Sequence, residues 1–344
     1  MKNDQDERRA APEAGGARAW APILARYRQP SNARGVFEVG ITLGPLVLLW
    51  VVTWWTLDLS YGVSLLLTIP AAAFLLRLFM IQHDCGHGSF FRHSWANNSV
   101  GSVIGVLTLT PYRFWQRAHA LHHASSGNLD RRGIGDIETL TVREYQALPY
   151  LGRLRYRLYR HPLVTFGLGP AYLFLLRHRI PAGQARDGWR PWFSTMATNA
   201  MVMAIAAVLI WFLGLKAFLL VHLPIVLLAA SAGVWLFYVQ HQFEHTSWSH
   251  NGEWDRHEAA LHGSSHYDLP AVLRWFTANI GVHHVHHLCS GIPYYRLPRT
   301  LRDYPELRDI GRLTLLESFG CVRLVLWDEV RRRLVSFREA HASL

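Results

Sequence analysis

Four apolar runs, each close to the roughly 20 residues that a helix needs to cross a bilayer, constrain this chain more than any other feature. The first pair covers 37–57, "FEVGITLGPLVLLWVVTWWTL", and 63–80, "VSLLLTIPAAAFLLRLFM", on either side of a short turn. The second pair covers 194–213 and 218–239. A backbone in lipid must satisfy its own hydrogen bonds within the segment, so runs of this kind are helices. The expected fold is an all-α integral membrane protein with four transmembrane helices in two hairpins. Arg77, near the end of the second run, is expected to snorkel to the interface. The stretches 100–112 and 162–176 are apolar but short and hold Gly and Pro. They read as interfacial or re-entrant segments.

Charge sets the orientation. Only 17% of the residues are charged, where a soluble domain has about 25%. The net charge of +11 lies between the apolar runs, which favours an anionic membrane face over nucleic acid. Residues 1–36 hold seven Lys/Arg and 113–190 is rich in arginine, whereas the two short turns hold only Lys216. Positive segments stay inside, so both termini and both large loops are expected on the cytoplasmic side. Residues 1–36 read as a flexible basic segment without the apolar core of a secretory signal. Residues 37–305 read as the membrane domain, and 306–344 as a cytosolic helical tail. Cys85, Cys289 and Cys321 form no CxxC pair, which argues against a disulfide framework or a zinc ribbon.

Histidine spacing then points to chemistry. His83 and His87 end the second run as "HDCGH", and "HALHH" follows with His119, His122 and His123. "HQFEH" places His241 and His245 after the fourth run, and "GVHHVHHLC" supplies His283, His286 and His287. Spacings of i, i+3 and i+4 put side chains on one helix face. Two crossings separate the first two clusters from the last two, so all four meet at one membrane side, where a cytosolic helical cap is expected to hold them. Ten histidines exceed the needs of one ion, and two ions are the natural count. Imidazole suits zinc, copper, iron and nickel alike, so the metal stays open on this ground. His93, His262, His266 and His284 lie nearby but break the spacing. Asp84, Asp136, Glu244 and Asp268 are candidates to accept the outer ring N–H of a ligand histidine.

The stretches "HDCGHGSFF", "HALHHASSGNLDRRGIGDIETLTVREY", "YVQHQFEHTSW" and "NIGVHHVHHLCSGIPYYRL" resemble the histidine boxes of membrane fatty acid desaturases. The likeness is greatest to bacterial acyl-lipid enzymes of the delta-12/omega-6-like group, and it covers roughly residues 35–305. It implies a non-haem di-iron centre at the cytosolic face of a bacterial inner membrane. The family's first box falls on His83 and His87, its second on His119, His122 and His123, and its third on His283, His286 and His287. The additional ligand segment falls on His245, with His241 one turn before it. The chain departs from the family with "CSG" at 289–291, where a Pro-Arg pair is more usual.

The implied reaction uses O2 and two electrons to place a cis double bond in an acyl chain; removing hydrogen from an unactivated methylene needs a strong oxidant that no side chain supplies. The substrate is expected to be lipid-linked and the electrons to come from a separate ferredoxin or flavodoxin. Phe114, Trp115, Trp235, Phe237 and Tyr238 are candidates to line an acyl tunnel, and Arg113 and Arg117 to meet a lipid phosphate or an acidic donor. Two alternatives share such histidines. One is a membrane di-iron hydroxylase or carotenoid-type oxygenase; the other is a metal transporter or sensor, for which the runs hold few polar groups besides His222.

Overall fold

The computed structural model describes residues 16–133 and 135–342. The first fifteen residues of the expected flexible segment lie outside these. The rest of that segment is fixed in place, which corrects the expectation. Helix α1 (Trp20–Ala25) buries Trp20 and Leu24 in the main core. Tyr27 follows it and donates its hydroxyl to Asp303 at 2.6 Å.

Helices α2 (Asn32–Trp55) and α3 (Tyr61–Gly86) form the first hairpin. Ser31 caps α2, accepting the Arg34 N–H. Two shorter helices follow, α4 (Ser94–Leu107) and α5 (Tyr112–Ser125). Strand β1 (Leu140–Thr141) leads into α6 (Val142–Ala147), whose start is closed by a Thr141–Glu144 capping box. Next come α7 (Tyr150–Tyr159), a π-helical turn over Val164–Leu168, and α8 (Gly169–Leu175). The second hairpin is α9 (Trp189–Leu213) with α10 (Leu215–His241). All four hairpin helices are long and apolar enough to cross a membrane. Neither α4 nor α8 is long enough, in line with their reading as short segments.

Beyond the last span lie α11 (Arg256–His262), β2 (His266–Asp268), α12 (Ala271–Phe276), α13 (His283–Leu288) and α14 (Leu297–Asp303). The C-terminal part is more than a helical tail. It includes β3 (Arg312–Thr314), β4 (Leu326–Asp328) and β5 (Arg333–Val335). β3 runs parallel to β2, while β4 lies between β1, parallel, and β5, antiparallel. Pairing of backbone from 140 with backbone from 326 ties this region to the central loops, which hydropathy alone does not reveal.

Arg77 does not snorkel. Its side chain is 2% exposed and pairs with the equally buried Glu38 of α2. Its Nε donates to Thr42 Oγ1 at 3.2 Å, and its guanidinium lies 3.9 Å from the Trp275 ring centroid. A charge in this setting needs partners. Glu38 and the Trp275 carbonyl supply them, so the arginine has no need to reach water.

Candidate metal centre

Each histidine cluster sits where a helix end is held by its neighbours. The last carbonyls of a helix lack intrahelical donors. On α3 those of Cys85 and Gly86 accept from Tyr112 Oη and Gln116 Nε2 of α5, both at 2.8 Å. This clamps the "HDCGH" end of α3 against the "HALHH" helix. On the other side, Gln240 donates to the Ile280 carbonyl at 3.1 Å, just ahead of α13. The backbone N–H groups of His283 and His284 both donate to the Ser265 carbonyl.

Nine histidines converge as two sets. One contains His83, His87, His119, His123 and His286; the other contains His122, His241, His283 and His287. Within each set the ring nitrogens that face one another lie within 4.8 Å. In the first, the Nε2 atoms of His87 and His119 are 3.0 Å apart, those of His119 and His123 3.1 Å, and those of His123 and His286 3.2 Å. In the second, His241 Nε2 lies 3.1 Å from the Nε2 atoms of both His122 and His283. His287 Nε2 is 3.1 Å from that of His283. Two imidazoles bound at 2.0–2.1 Å and at right angles to one metal ion have nitrogens about 3 Å apart. The separations therefore suit coordination polyhedra.

The structure divides each i, i+3, i+4 triplet. His119 and His123 turn to the first set while His122 turns to the second; His283 and His287 join the second while His286 crosses to the first. Adjacent helical residues differ by about 100° in direction, enough to serve two ions from one helix. The stacked rings of His123 and His287, with centroids 4.1 Å apart, join the sets.

Electrostatics favour the ligand form. Burial, then the neighbouring imidazoles, hold His119, His123, His283, His286 and His287 well below the ordinary histidine value. These rings are neutral, with lone pairs available to a metal. The outward nitrogens of three other clustered histidines, His83, His122 and His241, have partners. Asp84 Oδ1 lies 3.2 Å from His83 Nδ1, and its Oδ2 accepts the Tyr294 N–H at 2.6 Å. Asp136 bonds His122 Nδ1. Gly135, at φ +76°, brings that loop so close to α5 that a Cβ would sit 3.1 Å from the Ala118 carbonyl oxygen. The Gly263 carbonyl, 3.4 Å from His241 Nδ1, is a partner that a search for carboxylates misses.

Residues 59–314 match the family described as fatty acid desaturase. The chain belongs to that family. It is 44% identical to a fatty acid desaturase of Bacillus subtilis (strain 168) over 92% of this chain and 89% of the relative. It is 26% identical to an sn-1 oleoyl-lipid 12-desaturase of Synechocystis over 83% and 75% of the two chains. It is 30% identical to an sn-1 acyl-lipid omega-3 desaturase (ferredoxin) of the same organism over 64% and 62%. These matches favour neither the hydroxylase nor the transporter alternative.

Several expected site residues of this desaturase stand elsewhere. Both histidines of "HQFEH" are expected as ligands, but only His241 joins a set; His245 is exposed in the turn after α10 and belongs to neither. The helix ends at His241, and the turn carries His245 away. Glu244 is exposed in the same turn, and Asp268 pairs with Arg312 at 2.7 Å. Neither bonds a clustered histidine. His284 faces away, with Nε2 2.8 Å from the Leu307 carbonyl oxygen, and His266 Nδ1 lies 2.6 Å from that of Arg308. His262 lies near Glu258, and His93 stacks over Trp95. Arg117 pairs with Asp187, and Arg113 donates to Gln116.

A cavity of about 810 Å³ adjoins the histidines. His83, His119 and His283 are on its wall, as are Phe114, Trp115 and Phe237. Trp235 and Tyr238, the other expected lining aromatics, pack instead on Phe166. Between α3 and α10 the wall is small and apolar, with Leu76, Ala229, Ala230 and Gly233. Such a space takes a flexible hydrocarbon chain past the histidines.

Proposed function

We propose that the desaturase holds two iron ions in its nine converging histidines and introduces a cis double bond into a lipid-linked acyl chain. The observation that carries this reading is the pairing of two clustered imidazole sets, one buried and one half-buried, with an apolar cavity that reaches them. His83, His87, His119, His123 and His286 would hold one ion, and His122, His241, His283 and His287 the other. Asp84 and Asp136 would orient His83 and His122. The bound metal would supply the O2-activating chemistry that no side chain provides. Overall, two hydrogens leave adjacent methylenes, and with O2, two electrons and two protons they yield the alkene and two waters.

The chain's own residues bind and shield. The wall made by Leu76, Ala229 and Gly233 would hold the hydrocarbon still, and Trp115, stacked 4.7 Å from His119, would cover the histidines from one side. Neutral rings would serve as ligands rather than as general bases. In this reading the site would face the cytoplasm from a bacterial inner membrane, a side that the arginine-rich loops favour. A separate ferredoxin or flavodoxin would deliver the electrons. The test joins two measurements on protein expressed in a host without polyunsaturated lipids. Iron analysis should give two per chain, and mass spectrometry with double-bond localisation should show a new unsaturated acyl chain. A hydroxylated product with no new double bond would overturn the reading.

A further inference from the structure

Helix α7 is turned outside in. Leu151, Leu154 and Leu158 recur on one face and point away from the protein, with Leu151 74% exposed. The opposite face is packed through Tyr156, whose ring joins a small core with Tyr145, Val325 and Leu326. Tyr156 donates to the Val325 carbonyl at 2.6 Å, and just past the helix Arg160 donates to Tyr238 Oη and to the Leu324 carbonyl. The apolar exterior continues through Leu163, 73% exposed, Leu168, Tyr172 and Leu176.

The other side of this same segment is cavity wall. Val164, Thr165, Gly169, Pro170 and Leu173 line the space beside the histidines. One layer of chain therefore separates the cavity from whatever covers the leucines. That layer contains the π-helical turn Val164–Leu168, a rare geometry that frequently occurs at functional sites. Gly169 permits its width, since a Cβ there would lie 2.8 Å from the Val164 carbonyl oxygen. Leu121, Tyr159 and Tyr172 line the cavity and are exposed as well, which marks its opening on this side.

A bilayer is the covering that fits. Phe166 packs 5.0 Å from Trp235 and 5.1 Å from Tyr238, near the histidine-bearing end of span α10. The segment that carries the exposed leucines is thus packed directly against the end of a span, with Leu163, Leu168 and Leu176 left on its outer side. Arg155 is exposed beside Leu151 and Leu158, and Arg177 lies on the cavity wall. An outward apolar face edged by arginine suits the headgroup boundary of an anionic leaflet.

We infer that α7, the π-helical turn and α8 form a side door to the membrane, through which a glycerophospholipid of the adjoining leaflet slides its acyl chain into the cavity. Its phosphate stays outside, beside Arg155 and Arg177. The inference rests on the lipid-linked substrate proposed above.

The experiment uses the full chain in nanodiscs of phosphatidylglycerol with a reduced ferredoxin. The three native cysteines are all buried, so Tyr172→Cys is the reactive thiol. Loading it with a bulky methanethiosulfonate should cut desaturation roughly tenfold or more, and dithiothreitol should restore it, with iron per chain unchanged throughout. In parallel, bimane on Leu158→Cys should be quenched by brominated phospholipid and not by iodide. Full activity with the thiol blocked, or quenching by iodide alone, overturns the door while leaving the lipid-linked substrate standing. Wild-type enzyme that desaturates acyl-CoA but not phosphatidylglycerol overturns both.

Discussion

Glu38 and Arg77 form an ion pair inside the first hairpin, each side chain 2% exposed. Tyr294 joins them, donating its hydroxyl to Glu38 Oε2 at 2.9 Å while its own N–H donates to Asp84. Removing one partner of a buried pair leaves an uncompensated charge, costing about 3–5 kcal/mol, whereas apolar replacement of both is often tolerated. Glu38→Ala should therefore lower the unfolding temperature in detergent strongly. The double variant Glu38→Leu/Arg77→Met should recover much of the loss. Thermal melts of the three proteins check this.

The two histidines of "HQFEH" should differ sharply. His241→Ala removes an imidazole from a buried set, so iron content and product should both fall, with membrane insertion intact. His245→Ala alters an exposed side chain and should leave both near wild type. Iron analysis and fatty acid chromatography on the pair decide between the helix end and the turn.

Asp136→Asn tests the orientation of His122. The carboxylate fixes the ring through Nδ1, and loss of such a partner typically costs 10–100-fold in metal affinity or activity. Iron retention against a graded chelator should fall by about that factor.

Gly233 faces the cavity, and a Cβ there would touch only Leu76 Cδ1 at 3.6 Å. Gly233→Ala should be accepted. Gly233→Phe should fill the passage and lower desaturation on the order of a hundredfold by misplacing the chain, with the metal content per chain unchanged from wild type.

His178 gives a pH-dependent stability. Burial, then the charge of Arg179, pushes its value down to about 3 from 6.5. Between these values the unfolded chain binds the extra proton, so stability is full above about 6.5 and falls as pH drops toward 3, by about 1.4 kcal/mol per unit at most. The ring packs on Phe174 at 5.1 Å, so His178→Phe should fit. Denaturation midpoints compared across this window should show a flatter acid side for the variant.

The spans and the histidine boxes were legible because each rests on local periodicity: long apolar runs, and imidazoles one turn apart. Two things were not. The division of "HALHH" and "HHVHH" between two sets depends on which neighbours face each side of the helix, which needs α3, α10 and α13 in place. The burial of Arg77 depends on Glu38, nearly forty residues away, and on the Trp275 carbonyl beyond all four spans. Hydropathy sees a charge near a membrane edge; it does not see the partner. His245 was misplaced for a related reason, since i, i+4 spacing holds only while the helix continues.

Each histidine set includes members of α13: His286 in one, His283 and His287 in the other. During synthesis, both hairpins leave the ribosome before these residues do. A nascent chain already threaded through the membrane thus offers four imidazoles of one set and only two of the other. Neither pocket is closed until α13 has been made and folded back, so filling of either set by a metal has to wait for that helix rather than for the spans.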